Sequence, residues 1–230
     1  MIDDNKVLAI IPARGGSKRL LKKNVLLLRE KPLITWTIEA GLKSKYIDTL
    51  IVSSDDKEIL NISRHAGAKV IKRPPELATD ESKTSDVIKH VIRTVAEDFD
   101  FIILLQPTSP LRTERHINEA FKLLASKNAD AVISVCEVDH PALWCNTLPD
   151  NLNMSGFLPH DIKEKRSQDL PVFYRINGAI YICRIDRFFK EGTFFINDNI
   201  YAYIMDKESS VDIDTYMDFK LAEVILRENT

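Results

Sequence analysis

Val7-Leu8-Ala9-Ile10-Ile11-Pro12 leads without a break into Ala13-Arg14-Gly15-Gly16-Ser17-Lys18-Arg19, with Lys22-Lys23-Asn24 just behind. An apolar run containing Val7, Ile10 and Ile11 suits a strand covered on both faces, and such strands belong to sheets with helices packed above and below. The next residues break the pattern. Adjacent Gly15 and Gly16 let the backbone approach a ligand closely, and successive amide N–H groups in such a turn make an anion-sized nest. Arg14, Lys18, Arg19, Lys22 and Lys23 add full positive charges. Together these suit a polyphosphate, although neither the Gly-x-x-x-x-Gly-Lys-Ser/Thr nor the Gly-x-Gly-x-x-Gly spacing is present. The plainer alternative is a solvated basic turn.

Strand and helix signals then alternate. Ile34, Ile38 and Leu42 predict a helix from about Pro32 to Lys43, Thr49 to Ser53 a strand, and Ile59, Ile62 and Ala66 a helix stopped by Gly67. Lys69 to Ile71 reads as a third strand. The proline-rich stretch Arg73 to Thr84 is too long for an ordinary connection, and loops of that kind bind ligands. Ser85 is placed to cap a helix bearing Ile88, Val91, Ile92 and Val95, and Phe101 to Leu105 reads as a buried strand. Thr113 caps a helix with Ile117, Phe121 and Leu124, and Ala131 to Cys136 is the fifth strand. Such alternation implies right-handed crossovers and a three-layer α/β fold with a mostly parallel sheet. Ligands of such sheets sit at the carboxyl ends of the strands, which places the Arg14 loop, Ser54-Asp55, the Arg73 loop and Gln106-Pro107 on one rim.

The alternation stops between Val138 and Tyr174, where prolines and charges suggest an irregular or hairpin insertion too small for a core of its own. Strand character returns at Gly178 to Cys183 and Ile200 to Ile204, and Thr215 is placed to cap a last helix with Met217, Leu221 and Val224 on its apolar face. With 230 residues, 44% of them hydrophobic, the chain is expected to form one domain over residues 1–230 with an insertion at 138–174. A net charge of −2 gives no basic field for nucleic acid. No apolar run approaches the roughly 20 residues that span a bilayer, and no leader pattern opens the chain, so a cytoplasmic protein is expected. Cys136, Cys145 and Cys183 lack metal-type spacing and read as reduced thiols.

Asp212 and Asp214 alternate with Val211, Ile213 and Thr215, so in an extended segment both carboxylates project from one face. A hard cation such as Mg²⁺, shared with phosphates, relieves their mutual repulsion. Equally, Asp214 could support a helix N-terminus while Asp212 is solvated. The basic loop favours the metal reading, because a polyphosphate site and a dicarboxylate are the two halves of nucleotidyl or phosphoryl transfer.

Taken in order, Ile11-Pro12-Ala13-Arg14-Gly15-Gly16-Ser17-Lys18, Lys23-Asn24, Arg73-Pro74 with Glu76-Leu77-Ala78, Leu105-Gln106-Pro107-Thr108-Ser109-Pro110-Leu111-Arg112, Arg175 with Asn177-Gly178-Ala179-Ile180-Tyr181, and Asp212-Ile213-Asp214-Thr215 resemble the acylneuraminate cytidylyltransferases, which make CMP-sialic acids. The resemblance spans nearly the whole chain. It implies a Rossmann-like nucleotide-transferase fold, CTP as donor, a nine-carbon 2-keto sugar acid as acceptor, Mg²⁺ on Asp212 and Asp214, and a homodimer. In that dimer the 138–174 insertion of one subunit reaches over the active site of the other. By matching position, Arg14, Ser17, Lys18 and Lys23 hold the triphosphate, with Ala13 and Gly16 beside them, and Asn24, Arg73 and Ser82 lie near ribose and cytosine. Gln106, Arg175, Tyr181, Phe194 and Phe195 line the sugar site, and Arg166 is the arginine contributed by the partner subunit. Arg14, Lys23, Asp212 and Asp214 form the implied catalytic set. For Phe194-Phe195 the competing reading is ordinary core at a strand edge.

The chain departs from the sialic-acid pattern after His140-Pro141, where Ala142-Leu143-Trp144-Cys145 replaces residues that are commonly basic. That segment, with Thr84-Ser85-Asp86-Val87-Ile88, looks more like the bacterial relatives that activate legionaminic acid. The alternatives are transfer to the eight-carbon 3-deoxy-octulosonate, which the Arg175 to Tyr181 motif disfavours, and a non-catalytic nucleotide-binding module, for which the full set Arg14, Lys23, Asp212 and Asp214 would be unneeded.

Overall fold

The computed structural model describes residues 5–95 and 97–228. Strand β1 (Val7–Pro12) lies at the centre of the sheet, and Val7 to Ile11 are 0–1% exposed. Alternate side chains feed two cores. Val7, Ala9 and Ile11 pack with helices α1 (Leu33–Lys43), α2 (Lys57–His65) and α4 (Glu114–Lys127). Leu8 and Ile10 face α3 (Thr84–Thr94) and α5 (Ile185–Glu191) across the other face. Each fully buried side chain of this kind stabilises the fold by about 1.5–3 kcal/mol, which is why β1 reads as an unbroken apolar run.

Strands β4 (Thr49–Ser54), β5 (Lys69–Lys72), β6 (Phe101–Leu104), β7 (Ala131–Glu137), β8 (Tyr174–Arg184) and β9 (Ile200–Met205) complete a seven-stranded sheet of order β5-β4-β1-β6-β8-β7-β9. Two short strands, β2 (Leu27–Leu28) and β3 (Lys31–Pro32), pair separately and lead the chain into α1. Pairing is parallel from β5 through β6 and again between β7 and β9, whereas β8 runs antiparallel to both its neighbours. The sheet is therefore mostly parallel, as the alternation implied. The carboxyl ends of β5, β4, β1 and β6 share one edge, and the site forms there.

Strand β8 is longer than its sequence signal. It leaves β6 after Tyr181 pairs with Leu104 and continues along β7 to Tyr174, past a register shift between Ile133 and Val135. Residues 138–173 are a hairpin only at their ends, where Val138 N donates to Phe173 O at 3.0 Å. In between stand two 3-10 turns, Ala142–Trp144 and Ser167–Asp169, and no strand.

Two local expectations are corrected. Ser85 lies inside α3, which starts one residue earlier behind Lys83 without a side-chain cap. Helix α6 (Tyr216–Glu228) buries Phe219 and Ala222 against Leu28, Leu33 and Leu111, so that Met217, Leu221 and Val224 face outward. Both stripes are apolar, and the one that meets the β2–α1 corner is the buried one. Thr215 does serve as the start signal: its hydroxyl donates to Asp218 Oδ2 at 2.8 Å, and Asp218 N returns a bond to Thr215 Oγ1 at 3.4 Å.

Candidate active site

At the strand ends lies an open cleft of about 590 Å³. The loop after β1 contributes Arg14, Ser17, Lys18, Arg19, Lys23 and Asn24, and the loop after β5 contributes Arg73, Thr79, Asp80 and Ser82. Gln106, Pro107 and Thr108 come from the end of β6, and Asp214 from the segment before α6. Most residues expected to hold a nucleoside triphosphate thus meet in one cleft, including the scattered Arg73 and Ser82, and Gln106 from the expected sugar site lines it too.

The turn at its edge is not a nest. Neither Gly15 nor Gly16 has a positive φ, and a nest requires alternation into the left-handed region. Two of its amides are also spent, Gly15 N on Asp55 Oδ1 at 3.1 Å and Ser17 N on Gly15 O at 3.0 Å. Gly15 is required for a different reason: a Cβ there would lie 2.7 Å from Asp56 Oδ2, whereas one at Gly16 would meet nothing within 4 Å. Ala13, 1% exposed, fixes the turn by donating to Ser53 O at 2.9 Å. Binding capacity at this edge resides in side chains.

Two carboxylates divide four of the loop's five cations, the fifth, Lys22, pairing with Glu58 at 3.0 Å. Asp80 accepts from Arg14 Nη1 at 2.6 Å and from Lys18 Nζ. Asp214 accepts from Arg19 Nη1 at 2.7 Å and from Lys23 Nζ at 3.1 Å. Arg73 has no carboxylate bridge among the described residues. It is 4% exposed, its Nη2 donates to Ser53 O at 2.7 Å, and burial pushes its guanidinium down to about 10, so it stays charged at neutral pH. Asn24 donates to Arg14 O at 3.0 Å, which leaves its buried Oδ1 without a partner. Ser82 Oγ serves its own loop, donating to Glu76 O and accepting from Thr79 N, each at 3.1 Å.

The two aspartates differ in environment. Asp214 is half exposed, whereas Asp212 is largely enclosed and its Oδ1 is buried with no hydrogen-bond partner. Burial pushes the Asp212 carboxyl above its ordinary value; the neighbouring Asp214 adds to this, and a hydrogen bond from Thr108 opposes it. A buried, unpaired carboxylate oxygen beside a second carboxylate suits a hard cation completed by phosphate oxygens, so the residues fit Mg²⁺. No group of three or more potential metal-binding side chains is present among the described residues. Thr108 also fixes the backbone of this segment, accepting from Ile213 N at 2.8 Å.

Gly178 connects the aspartates to the expected sugar side. Its φ is +77°, and a Cβ there would lie 3.0 Å from Gln106 Oε1 and 3.6 Å from Asp212 Oδ2. Tyr181 stands near Asp212, whose charge adds to burial in raising its phenol. Its ring meets Phe194 at 5.7 Å and Phe195 at 6.2 Å between centroids. The two phenylalanines separate: Phe194 is 7% exposed and packs on Phe188, a core position, while Phe195 is 50% exposed. Arg175 is exposed and donates to Ser210 O at 3.2 Å. Arg166 lies in the insertion, is paired with Asp169 at 3.0 Å, and does not line the cleft of its own chain, nor does Trp144.

The structure gives further residues a part in holding the site together. Asp55 and Asp56 brace the Gly15 turn, Thr108 ties Gln106 to Asp212, and Asp80 holds two cations. Asp218 accepts from the backbone of both Asp214, at 3.1 Å, and Thr215, at 2.7 Å. Asp55, Asp80 and Thr108 stand in stretches the sequence already placed at the site, and Asp218 carries the Thr-x-x-Asp spacing of a capping box; Asp56, and the pairing of Asp80 with the cations, had no such signal.

The family model described as cytidylyltransferase matches residues 8–219. An N-acylneuraminate cytidylyltransferase of Escherichia coli O18:K1:H7 is 41% identical over 96% of this chain and 52% of its own length, so the chain spans about half of that relative. A CMP-N,N'-diacetyllegionaminic acid synthase of Legionella pneumophila is 35% identical over 97% of each. Among solved structures, a CMP:2-keto-3-deoxy-manno-octonic acid synthetase complexed with CTP superposes with a TM-score of 0.72 over 98% of this chain and all of the other. At 18% identity that likeness concerns the fold alone.

Proposed function

Because this chain belongs to the cytidylyltransferase family, we propose that it transfers CMP from CTP to the anomeric hydroxyl of a nine-carbon 2-keto sugar acid of the sialic type, with release of pyrophosphate. The observation that carries this reading is the convergence of Arg14, Lys18, Lys23 and Asp214 on one cleft, with Asp212 and Gln106 brought together at Gly178.

The anomeric oxygen attacks the α-phosphorus in line. An O–P bond forms there, the bond from the α-phosphorus to the bridging oxygen breaks, and its electron pair leaves with pyrophosphate while the hydroxyl proton passes to solvent. Arg14, Lys18 and Lys23 hold the β- and γ-phosphates, so fixed positive charge meets the negative charge that develops on the leaving group. Asn24, with its unpartnered buried oxygen, accepts from a ribose hydroxyl or the cytosine amino group, and buried Arg73 keeps its charge beside them. Gln106, Tyr181 and Phe195 flank the sugar, and Arg175 offers a planar cation to its carboxylate. Asp212 and Asp214 would hold Mg²⁺, which supplies charge neutralisation at the α-phosphate and acidifies the attacking hydroxyl.

The working form is a cytoplasmic homodimer in which Arg166 of one subunit serves the other's site. An uncovered apolar face supports the association of two subunits. Ile176 on β8 and Ile204 on β9 are both in register with Val135 of β7, they are 48% and 57% exposed, and Tyr174 adjoins them. Leu148, Leu152 and Met154 in the insertion are exposed as well.

Nucleotide selectivity tests the reading. Pyrophosphate release in the presence of Mg²⁺ and N-acetylneuraminic acid is expected with CTP and not with ATP; equal release from both would overturn it.

A further inference from the structure

Asp80 has no part in the chemistry above, yet its two oxygens occupy two of the three cations expected to hold phosphate. Oδ1 accepts from Arg14 Nη1 at 2.6 Å and Oδ2 from Lys18 Nζ. A folded loop delivers it. Ser82 Oγ closes that loop onto Thr79 N and Glu76 O, and Thr79 O accepts a second bond from Arg14 Nη1 at 3.3 Å. Hydrogen bonds from Lys18 and then Arg14 hold the Asp80 carboxyl below its ordinary value, so it is ionised throughout the neutral range. All of these residues but Glu76 line the cleft, and a phosphate there cannot share two such donors with a carboxylate without direct repulsion between the anions.

We propose that Asp80 is the internal counter-ion of the phosphate subsite, and that a polyphosphate binds by displacing it from Arg14 and Lys18. The inference rests on the cleft being the phosphate site of the proposed function. A tethered carboxylate competes at the millimolar effective concentration of an intramolecular partner. A small anion that contacts only these two cations therefore gains little, whereas a triphosphate that also reaches Lys23 has contacts to spare. Both pairs are partly exposed, with side chains 36–77% accessible, and exposed pairs are individually weak enough to be displaced. On release the same exchange runs backward: Asp80 re-pairs with both cations as pyrophosphate departs, so the leaving anion does not abandon bare charges.

The test uses titration calorimetry with pyrophosphate and with orthophosphate, without nucleotide or metal, on wild type, Asp80→Asn and Asp80→Glu. Asparagine keeps the size and removes the charge at a half-exposed position, and thermal melts check that folding is retained. Asp80→Asn should bind pyrophosphate about 3- to 10-fold more tightly, the scale of losing two weak competing ion pairs. Orthophosphate should shift in the same sense, and Asp80→Glu should stay near wild type. In turnover, pyrophosphate should inhibit Asp80→Asn at correspondingly lower concentration. Unchanged or weaker pyrophosphate binding in Asp80→Asn overturns the inference, as does failure of either protein to bind pyrophosphate at millimolar concentration. The two readings fail separately. Tighter pyrophosphate binding with no turnover of CTP sinks the proposed function alone, and normal turnover with no shift in pyrophosphate binding sinks the role of Asp80 alone.

Discussion

Lys23 Nζ lies 3.1 Å from Asp214 Oδ1 and 2.6 Å from the carbonyl of Ile213, so the loop after the first strand and the segment before the last helix are joined at the centre of the cleft. The lysine side chain is only 13% exposed, the least of the four loop cations that bridge to Asp80 or Asp214, and its bond to the Ile213 carbonyl does not depend on the carboxylate. Its consequence is that charge can be removed from the aspartates without loss of the local backbone arrangement. Asp212→Asn and Asp214→Asn should each fold like wild type and lose turnover by about 10²-fold or more, the scale of removing one preorganised charge-stabilising element. Steady-state kinetics with thermal melts decide this. Near-normal rates in both variants would reduce the aspartates to a helix-capping role.

His116 gives the fold a pH dependence. It is 2% exposed, and its Nδ1 accepts from Thr113 N at 3.1 Å to close the cap of α4. Burial and then the charge of Arg115 push its imidazole below the ordinary 6.5; Arg112 acts in the same sense, while Asp206 and Glu119 oppose them. The folded state thus keeps His116 neutral where the unfolded chain takes up a proton. Stability from this group is complete above pH 6.5 and falls below it, by up to about 1.4 kcal/mol per pH unit until the folded form also protonates. His116→Gln retains an acceptor for the cap and should gain stability relative to wild type as pH drops from 7.5 to 5 in urea unfolding. A constant difference across that range would contradict the assignment.

How much of this was legible depended on whether a residue's neighbours in sequence or in space decide its role. Strand β1 is buried on both faces, so its apolar run is visible without the fold, and the rim rule then gathered Arg14, Arg73 and Gln106 correctly. Helix α6 shows the limit: its period was readable, but the choice between the Met217 and Phe219 stripes is made by Leu28 and Leu33, nearly two hundred residues away in a chain of 230. Two glycines do not reveal their φ angles, so Gly15-Gly16 suggested a nest that the backbone does not form. Asp80 sits in a proline-rich loop with no periodicity, and only the fold brings it to Arg14. Phe194 and Phe195 are adjacent in sequence, and one became core while the other stayed exposed.

The apolar row of Ile176 and Ile204 predicts that the protein is dimeric in light scattering, and that Ile204→Glu, which puts a charge into that face, shifts it toward monomer. If Arg166 acts across the interface, Arg166→Ala and Asp214→Asn should each be nearly inactive. Mixing them after subunit exchange should return activity that neither has alone. No recovery on mixing would place Arg166 outside the partner's site.

The segment from His140 to Cys145 should read the sugar through that same interface. Trp144 offers a rigid apolar surface, which suits an acetamido methyl or deoxygenated edge better than a free hydroxyl left without a partner. The expected outcome is a higher kcat/KM for a diacetamido-dideoxy nonulosonic acid than for N-acetylneuraminic acid, by about tenfold, since one apolar contact is worth roughly 1–3 kcal/mol. Trp144→Lys should narrow that ratio, and an unchanged ratio would remove the segment from sugar recognition.

The central claim is the transfer itself, and the product tests it most directly. The protein is incubated with CTP, Mg²⁺ and, in separate reactions, N-acetylneuraminic acid, N,N'-diacetyllegionaminic acid and 3-deoxy-octulosonate, and the mixtures are read by mass spectrometry alongside pyrophosphate release. The account predicts a CMP conjugate of at least one nine-carbon acid, formed in equal amount with pyrophosphate. A CMP conjugate of the eight-carbon acid alone, or no conjugate with any acid while CTP still binds, would contradict it.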